Sequence, residues 1–198
     1  ILFVLEVMLG VVTLDVLAPV AIATAVGTLI TRALAGEGPI YGAREFGLGS
    51  GVELAAFAVV GLVAALGGVG FMRLLETGER LFAKLSWKRP LRAALGGLIV
   101  GAIAVALPSV AGNGYEPLNL LLDGRVAWLM VLGLALAKAV ATTASVTSGS
   151  PGGVFTPTML IGASLGHVVG MLAAAAGLAS PHQIGGYVLV GMAAALSA

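Results

Sequence analysis

From Leu54 to Met72 the chain runs nineteen residues without a charged side chain, and five more apolar stretches surround this one. They are Val16 to Thr31, Ala93 to Leu107, Val126 to Val146, Thr158 to Ala179 and Ile184 to Ala198. A perpendicular crossing of a bilayer takes about 20 apolar residues. Several stretches reach that length and several fall short. Short segments interrupted by Gly or Pro are characteristic of transporters with broken helices. Only 10% of the 198 residues are charged and 59% are hydrophobic, against about 25% charged in a soluble domain. Mean hydropathy is +1.10. The expected class is all-α: a polytopic transmembrane helical domain with broken and re-entrant helices, multi-pass in the membrane, spanning residues 1–198.

The remaining bulk properties narrow the chemistry. Cysteine is absent, which removes disulfides and thiolate metal sites. A net charge of +1 argues against nucleic acid as a partner. No charged segment followed by a cleavage site opens the chain, so no signal peptide is read. The chain begins at Ile1 and stops at Ala198, both inside apolar stretches, and is expected to be part of a longer protein.

Between Arg73 and Arg92 six basic residues face two acidic ones, Glu76 and Glu79. The positive-inside rule places this segment, read as a loop, in the cytoplasm. The Gly-rich break from Gly36 to Glu53 then lies on the opposite side. Two glycine series, Gly97 with Gly101 and Gly162 with Gly166 and Gly170, put small residues on one helix face at a spacing of four. A neighbouring backbone can approach such a face closely.

Residues 147 to 162 read Thr-Ser-Gly-Ser-Pro-Gly-Gly-Val-Phe-Thr-Pro-Thr-Met-Leu-Ile-Gly. A polar, glycine-rich stretch here meets the start of a long apolar helix. Residues 148–153 cannot continue the preceding helix, and Pro157 suits the first turn of the next. The backbone N–H groups of about Gly153 to Thr156 then lack intrahelical partners, with the positive end of the helix dipole behind them. Such a helix start suits an anion. From Ala139 to Ala198 there is no Asp, Glu, Lys or Arg. An anion here would be held by neutral dipoles, which suits release as well as binding. The residues alone leave a second reading open: a re-entrant turn whose amides are capped by Ser148 or Ser150.

Gly153-Val154-Phe155-Thr156-Pro157 matches the Gly-x-Phe-x-Pro motif of the CLC family of chloride channels and chloride/proton exchangers. The flanks Ser148-Gly149-Ser150-Pro151-Gly152 and Gly162-Ala163-Ser164-Leu165-Gly166 match as well. Gly112-Asn113-Gly114-Tyr115, Gly191-Met192-Ala193-Ala194 and the opening Leu2-Phe3-Val4-Leu5-Glu6 extend the resemblance over the whole chain. The resemblance implies half of an inverted-repeat CLC-type fold in a homodimer, set in the lipid bilayer of a bacterial plasma membrane. It implies chloride or another halide as substrate, protons as a second substrate in exchangers, and no cofactor. It assigns anion binding to Gly153, Val154, Phe155, Thr156 and Pro157, with the Val154 and Phe155 amides in contact. It also implies that helices over Val16 to Thr31 and Leu54 to Met72 contribute to the dimer contact.

Three further positions are candidates for coupling or for the inner mouth: Glu6, Val7 and Lys138. Exchangers of this family often carry a proton-passing acid where Val7 stands, and valine cannot titrate. Glu6 otherwise reads as a helix-end charge. Lys138 interrupts an apolar run, either as an intramembrane charge that draws anions or as a side chain snorkelling to the interface. The family's gating glutamate segment is absent. Gly36-Glu37-Gly38-Pro39 lacks the basic residue of that segment and is rejected as the gate. His167, three residues after Ser164, is expected to be a packed histidine, because no acid orients it and no nucleophile elbow is present. Outside the resemblance, the alternatives are another broken-helix transporter of an anionic solute or a membrane-embedded enzyme, for which the last sixty residues lack a titratable constellation.

Overall fold

The computed structural model describes residues 14–36, 38, 41–42, 44, 46–47, 51–124 and 126–198. Among these residues the regular structure is helical throughout, with no strand. The first helix, α1 (Leu14–Ala35), belongs to one compact unit, residues 1–43, and carries Pro19 within its second turn. The second unit, residues 44–198, holds the rest. Its helices are α2 (Glu53–Ala83), α3 (Arg89–Ala106), α4 (Tyr115–Leu122), α5 (Trp128–Thr147), α6 (Phe155–Ala175) and α7 (Ile184–Leu196). Single 3-10 turns stand at Pro108–Val110 and Pro181–Gln183. Five helices, α1, α2, α3, α5 and α6, have the length and hydropathy to cross a membrane. At 13 residues, α7 rises about 20 Å and is too short to cross.

The apolar stretches anticipate the helices, with one informative difference. The segment from Arg73 to Arg92 is mostly helix, because α2 continues to Ala83 and α3 begins at Arg89. The buried seam of α2 explains this. Val60, Ala64, Gly68, Phe71, Leu75, Gly78 and Phe82 recur at spacings of three and four, straight past Arg73. That periodicity is a continuous helical face. At 31 residues α2 is about 46 Å long, against a hydrocarbon core of about 30 Å. Its charged last turns therefore reach the headgroup region. The face away from the seam shows Leu54, Leu62, Leu66 and Met72 more than half exposed. A surface of that kind suits acyl chains or further protein.

α6 and α7 form the centre of the second unit, and glycines bring them together. A Cβ on Gly162 would overlap the Gly191 carbonyl oxygen, and a Cβ on Gly191 would overlap that of Gly162. Gly166 meets the Tyr187 backbone and Gly170 the Tyr187 ring. The series at 162, 166 and 170 is thus the contact face anticipated from its spacing. Gly97 and Gly101, by contrast, meet nothing within 4 Å, and it is Gly96 that lies against Ser148 and the Ala144 carbonyl of α5. Along α2, Gly67 abuts Leu165 and Gly78 abuts Thr143 and Thr147, so α2 packs on both α6 and α5.

His167 is fully buried on α6. Its Nδ1 lies 3.2 Å from the Leu121 carbonyl and its Nε2 lies 2.8 Å from the Val126 carbonyl. The ring thus links α6 to the end of α4 and the approach to α5. Both ring nitrogens lie against carbonyl oxygens, and the one that carries the N–H donates to its neighbour, so the histidine is a packed tie, as expected, and forms no pair with Ser164.

Candidate functional site

α5 ends where Gly149 takes a left-handed φ of +94°. Glycine is the residue that adopts this conformation at low cost just past a helix end. The Gly149 N–H donates to the Val146 carbonyl over 3.2 Å. Five residues later α6 begins, with Val154 at its N-cap and Pro157 inside its first turn. The earliest helical bond runs from the Thr158 N–H to the Val154 carbonyl at 3.0 Å. The Thr158 hydroxyl donates to that same carbonyl at 2.8 Å.

No side chain caps this helix start. Ser148 is turned the other way, its hydroxyl donating to the Ser145 carbonyl at 2.8 Å. The capped-turn reading of the segment is therefore not what the structure holds. The first backbone N–H groups of a helix have no intrahelical carbonyl to meet. A cavity of about 370 Å³ at this helix start is lined by Gly152, Gly153, Phe155, Thr156 and Pro157. Four of the five motif residues border this space. The fifth, Val154, packs its side chain on the apolar cluster of Phe71, Leu75, Ala139 and Ile161.

The other walls come from elsewhere in the chain. α5 contributes Lys138, Thr142 and Ser145, which share a face at spacings of four and three. The connection between α3 and α4 contributes Val110, Ala111, Gly112 and Asn113. Thr142 and Ser145 escaped the sequence reading. Their signal was available, as two hydroxyls spaced by one helical turn beyond the only charge in that helix.

Lys138 does not snorkel. It is 5% exposed, and its Nζ donates to the Val110 carbonyl at 2.8 Å and to the Gly112 carbonyl at 2.6 Å. These are short, charge-assisted bonds of the kind that offset burial of an ammonium. The lysine and the helix start thus border one cavity, whose lining holds one full positive charge and no carboxylate. Glu6 and Val7 lie outside the described residues, as do Glu37 and Pro39 of the rejected gate segment.

The profile of the family described as "Voltage gated chloride channel" matches residues 1–198. A protein of Ralstonia nicotianae named "Putative chloride channel protein ClcB-like" is 38% identical over 99% of this chain and 46% of its own length. The "Voltage-gated ClC-type chloride channel ClcB" of Citrobacter koseri is 37% identical over 86% of this chain and 41% of its own. The protein of the same name from Salmonella typhimurium is 34% identical over the same shares. The chain spans less than half the length of these relatives.

Proposed function

This chain belongs to the voltage-gated chloride channel family, and from that premise we propose that the cavity at the start of α6 is an anion position on a chloride pathway. The anion is held by the backbone amides of Val154 and Phe155, within the frame Gly153 to Pro157. The observation that carries this reading is a 21-residue helix whose start no side chain caps and which opens, beside a buried lysine, into one cavity. Its dipole and the N–H groups of its first turn favour an anion without a tight salt bridge at the motif itself. Neutral donors exchange for water at low cost, and this lets the ion leave.

Orientation follows from the basic residues around 84–92. With that segment in the cytoplasm, α3 climbs about 27 Å over its 18 residues before reaching the connection whose carbonyls hold Lys138. Lys138 accordingly faces the outer mouth, not the inner mouth anticipated from sequence. There its charge raises the local anion concentration. The protein works as a homodimer, with α1 and α2 contributing to the contact between copies. Transport is passive, or an exchange only loosely coupled to protons, because Val7 offers no titratable group beside Glu6.

The test is chloride efflux from liposomes holding the full-length protein. Val154→Pro removes one contacting N–H, whereas Val154→Ala keeps it. Efflux should fall at least tenfold in the first variant and stay within about twofold in the second, since one charge-assisted hydrogen bond is worth about 1.5–3 kcal/mol. Wild-type efflux through Val154→Pro would remove the backbone-amide reading.

A further inference from the structure

Three walls of the cavity are helical or begin a helix. The fourth is not. Residues 110–113 run from the last residue of the 3-10 turn at Pro108–Val110 toward α4. Within this connection Gly112 has φ +68° and Gly114 has φ +86°, conformations that glycine alone adopts at little cost. Ala111, Gly112 and Asn113 are exposed. Val110 is buried, but the three residues after it have little packing to define their position. All four line the cavity together with the start of α6.

Lys138 supplies that definition. Its Nζ reaches out of the middle of α5 to two carbonyls that bracket Ala111, at 2.8 Å on Val110 and 2.6 Å on Gly112. The two bonds offset the burial of the ammonium, and both fall on one short segment of chain. Two bonds to alternate carbonyls of one segment fix both its distance and its orientation. The ammonium is itself buried, so water does not compete for its donors as it would at the surface.

We propose that Lys138 is a positioning residue: by gripping the carbonyls of Val110 and Gly112 it fixes the one non-helical wall of the cavity and sets the aperture in front of the α6 helix start. This rests on the chloride-pathway reading for its consequence, but the grip itself is testable without transport. Size discrimination among anions follows from it, because an aperture with a fixed wall excludes large anions that a slack wall admits.

The experiment uses the full-length protein with Asn113→Cys as a reporter; this chain has no other cysteine. The rate of modification by a water-soluble methanethiosulfonate is measured with Lys138 intact and with Lys138→Met. Release of the wall raises the rate about tenfold or more. Lys138→Gln, with a shorter donor, is carried alongside in case the methionine variant does not fold. In liposomes, the thiocyanate-to-chloride efflux ratio rises in the same variants, and loss of folded protein alone would lower both fluxes together. Bridging Lys138→Cys to Ala111→Cys with a neutral bifunctional thiol reagent restores the wild-type ratio although the charge is gone. An unchanged modification rate in the folded neutral variants overturns the proposal. So does a transport defect that disappears in high salt, which would show that only the screened charge matters. Failure of the Val154 test would leave the modification result standing, so the two readings are separable.

Discussion

Gly162→Ala adds one methyl group at one of the closest glycine contacts among the described residues. The added carbon would overlap the Gly191 carbonyl oxygen and the Ala195 Cβ across the α6–α7 contact. Both belong to backbone or to its first side-chain atom, so no rotamer change can clear them. The helices must part. Overpacking of this kind costs about 1–3 kcal/mol, and the unyielding partner puts the cost in the upper half of that range. Replacing a helical glycine by alanine returns up to about 1 kcal/mol. The balance is a loss of about 1–2 kcal/mol. Gly61→Ala and Gly133→Ala are the controls, since a Cβ at either position meets nothing within 4 Å in this chain. They should be neutral or slightly stabilising. Thermal unfolding of the full-length protein in detergent, followed by loss of the monodisperse chromatographic peak, reads the difference. The shift is roughly 2–4 °C per kcal/mol for 150–250 residues and shrinks with size, so in the longer full-length protein Gly162→Ala should melt measurably below wild type and below both controls. If it melts with the controls, glycine-mediated backbone contact is not what holds α6 to α7.

The other expectations probe topology, the buried histidine and coupling. A cysteine at Lys84 should react with an impermeant reagent only from the cytoplasmic side, and labelling from outside alone would invert the orientation. His167→Leu removes the ring N–H that one of the Leu121 and Val126 carbonyls accepts. At about 1–3 kcal/mol for a buried unsatisfied group, it should lower the melting temperature by about as much as Gly162→Ala does, and an unchanged midpoint would show that the tie is dispensable. In liposomes with an imposed chloride gradient at clamped voltage, proton movement should be weak or absent. Uphill proton movement at a fixed ratio that survives Glu6→Gln would show that Val7 does not limit coupling.

The difference between what was legible and what was not follows from where each feature keeps its information. The apolar stretches predicted the membrane-embedded helices, because burial in lipid is a property of composition. The end of α2 was misplaced at Met72 because a charge marks the edge of the hydrocarbon, and a helix is free to pass that edge. Leu75, Gly78 and Phe82 continue the seam on one face while Arg73, Glu76 and Arg80 occupy others. Periodicity, not the first arginine, was the better guide there. At Gly97 and Gly101 the spacing defines a face but not its partner, and within this chain it is Gly96, one residue away, that meets α5. The helix start at 153–157 was legible because Gly149 and Pro157 act locally, through φ and a missing N–H. The cavity before it was not. Its far wall lies some forty residues upstream, and the residue that joins the two sides, Lys138, binds carbonyl oxygens, which every residue has and no sequence marks. A site built from backbone shows in sequence through the residues that bend the backbone, and its enclosure appears only once the chain is folded. That is why Lys138 read from sequence as a charge in search of water, although its ammonium is held by the carbonyls of Val110 and Gly112.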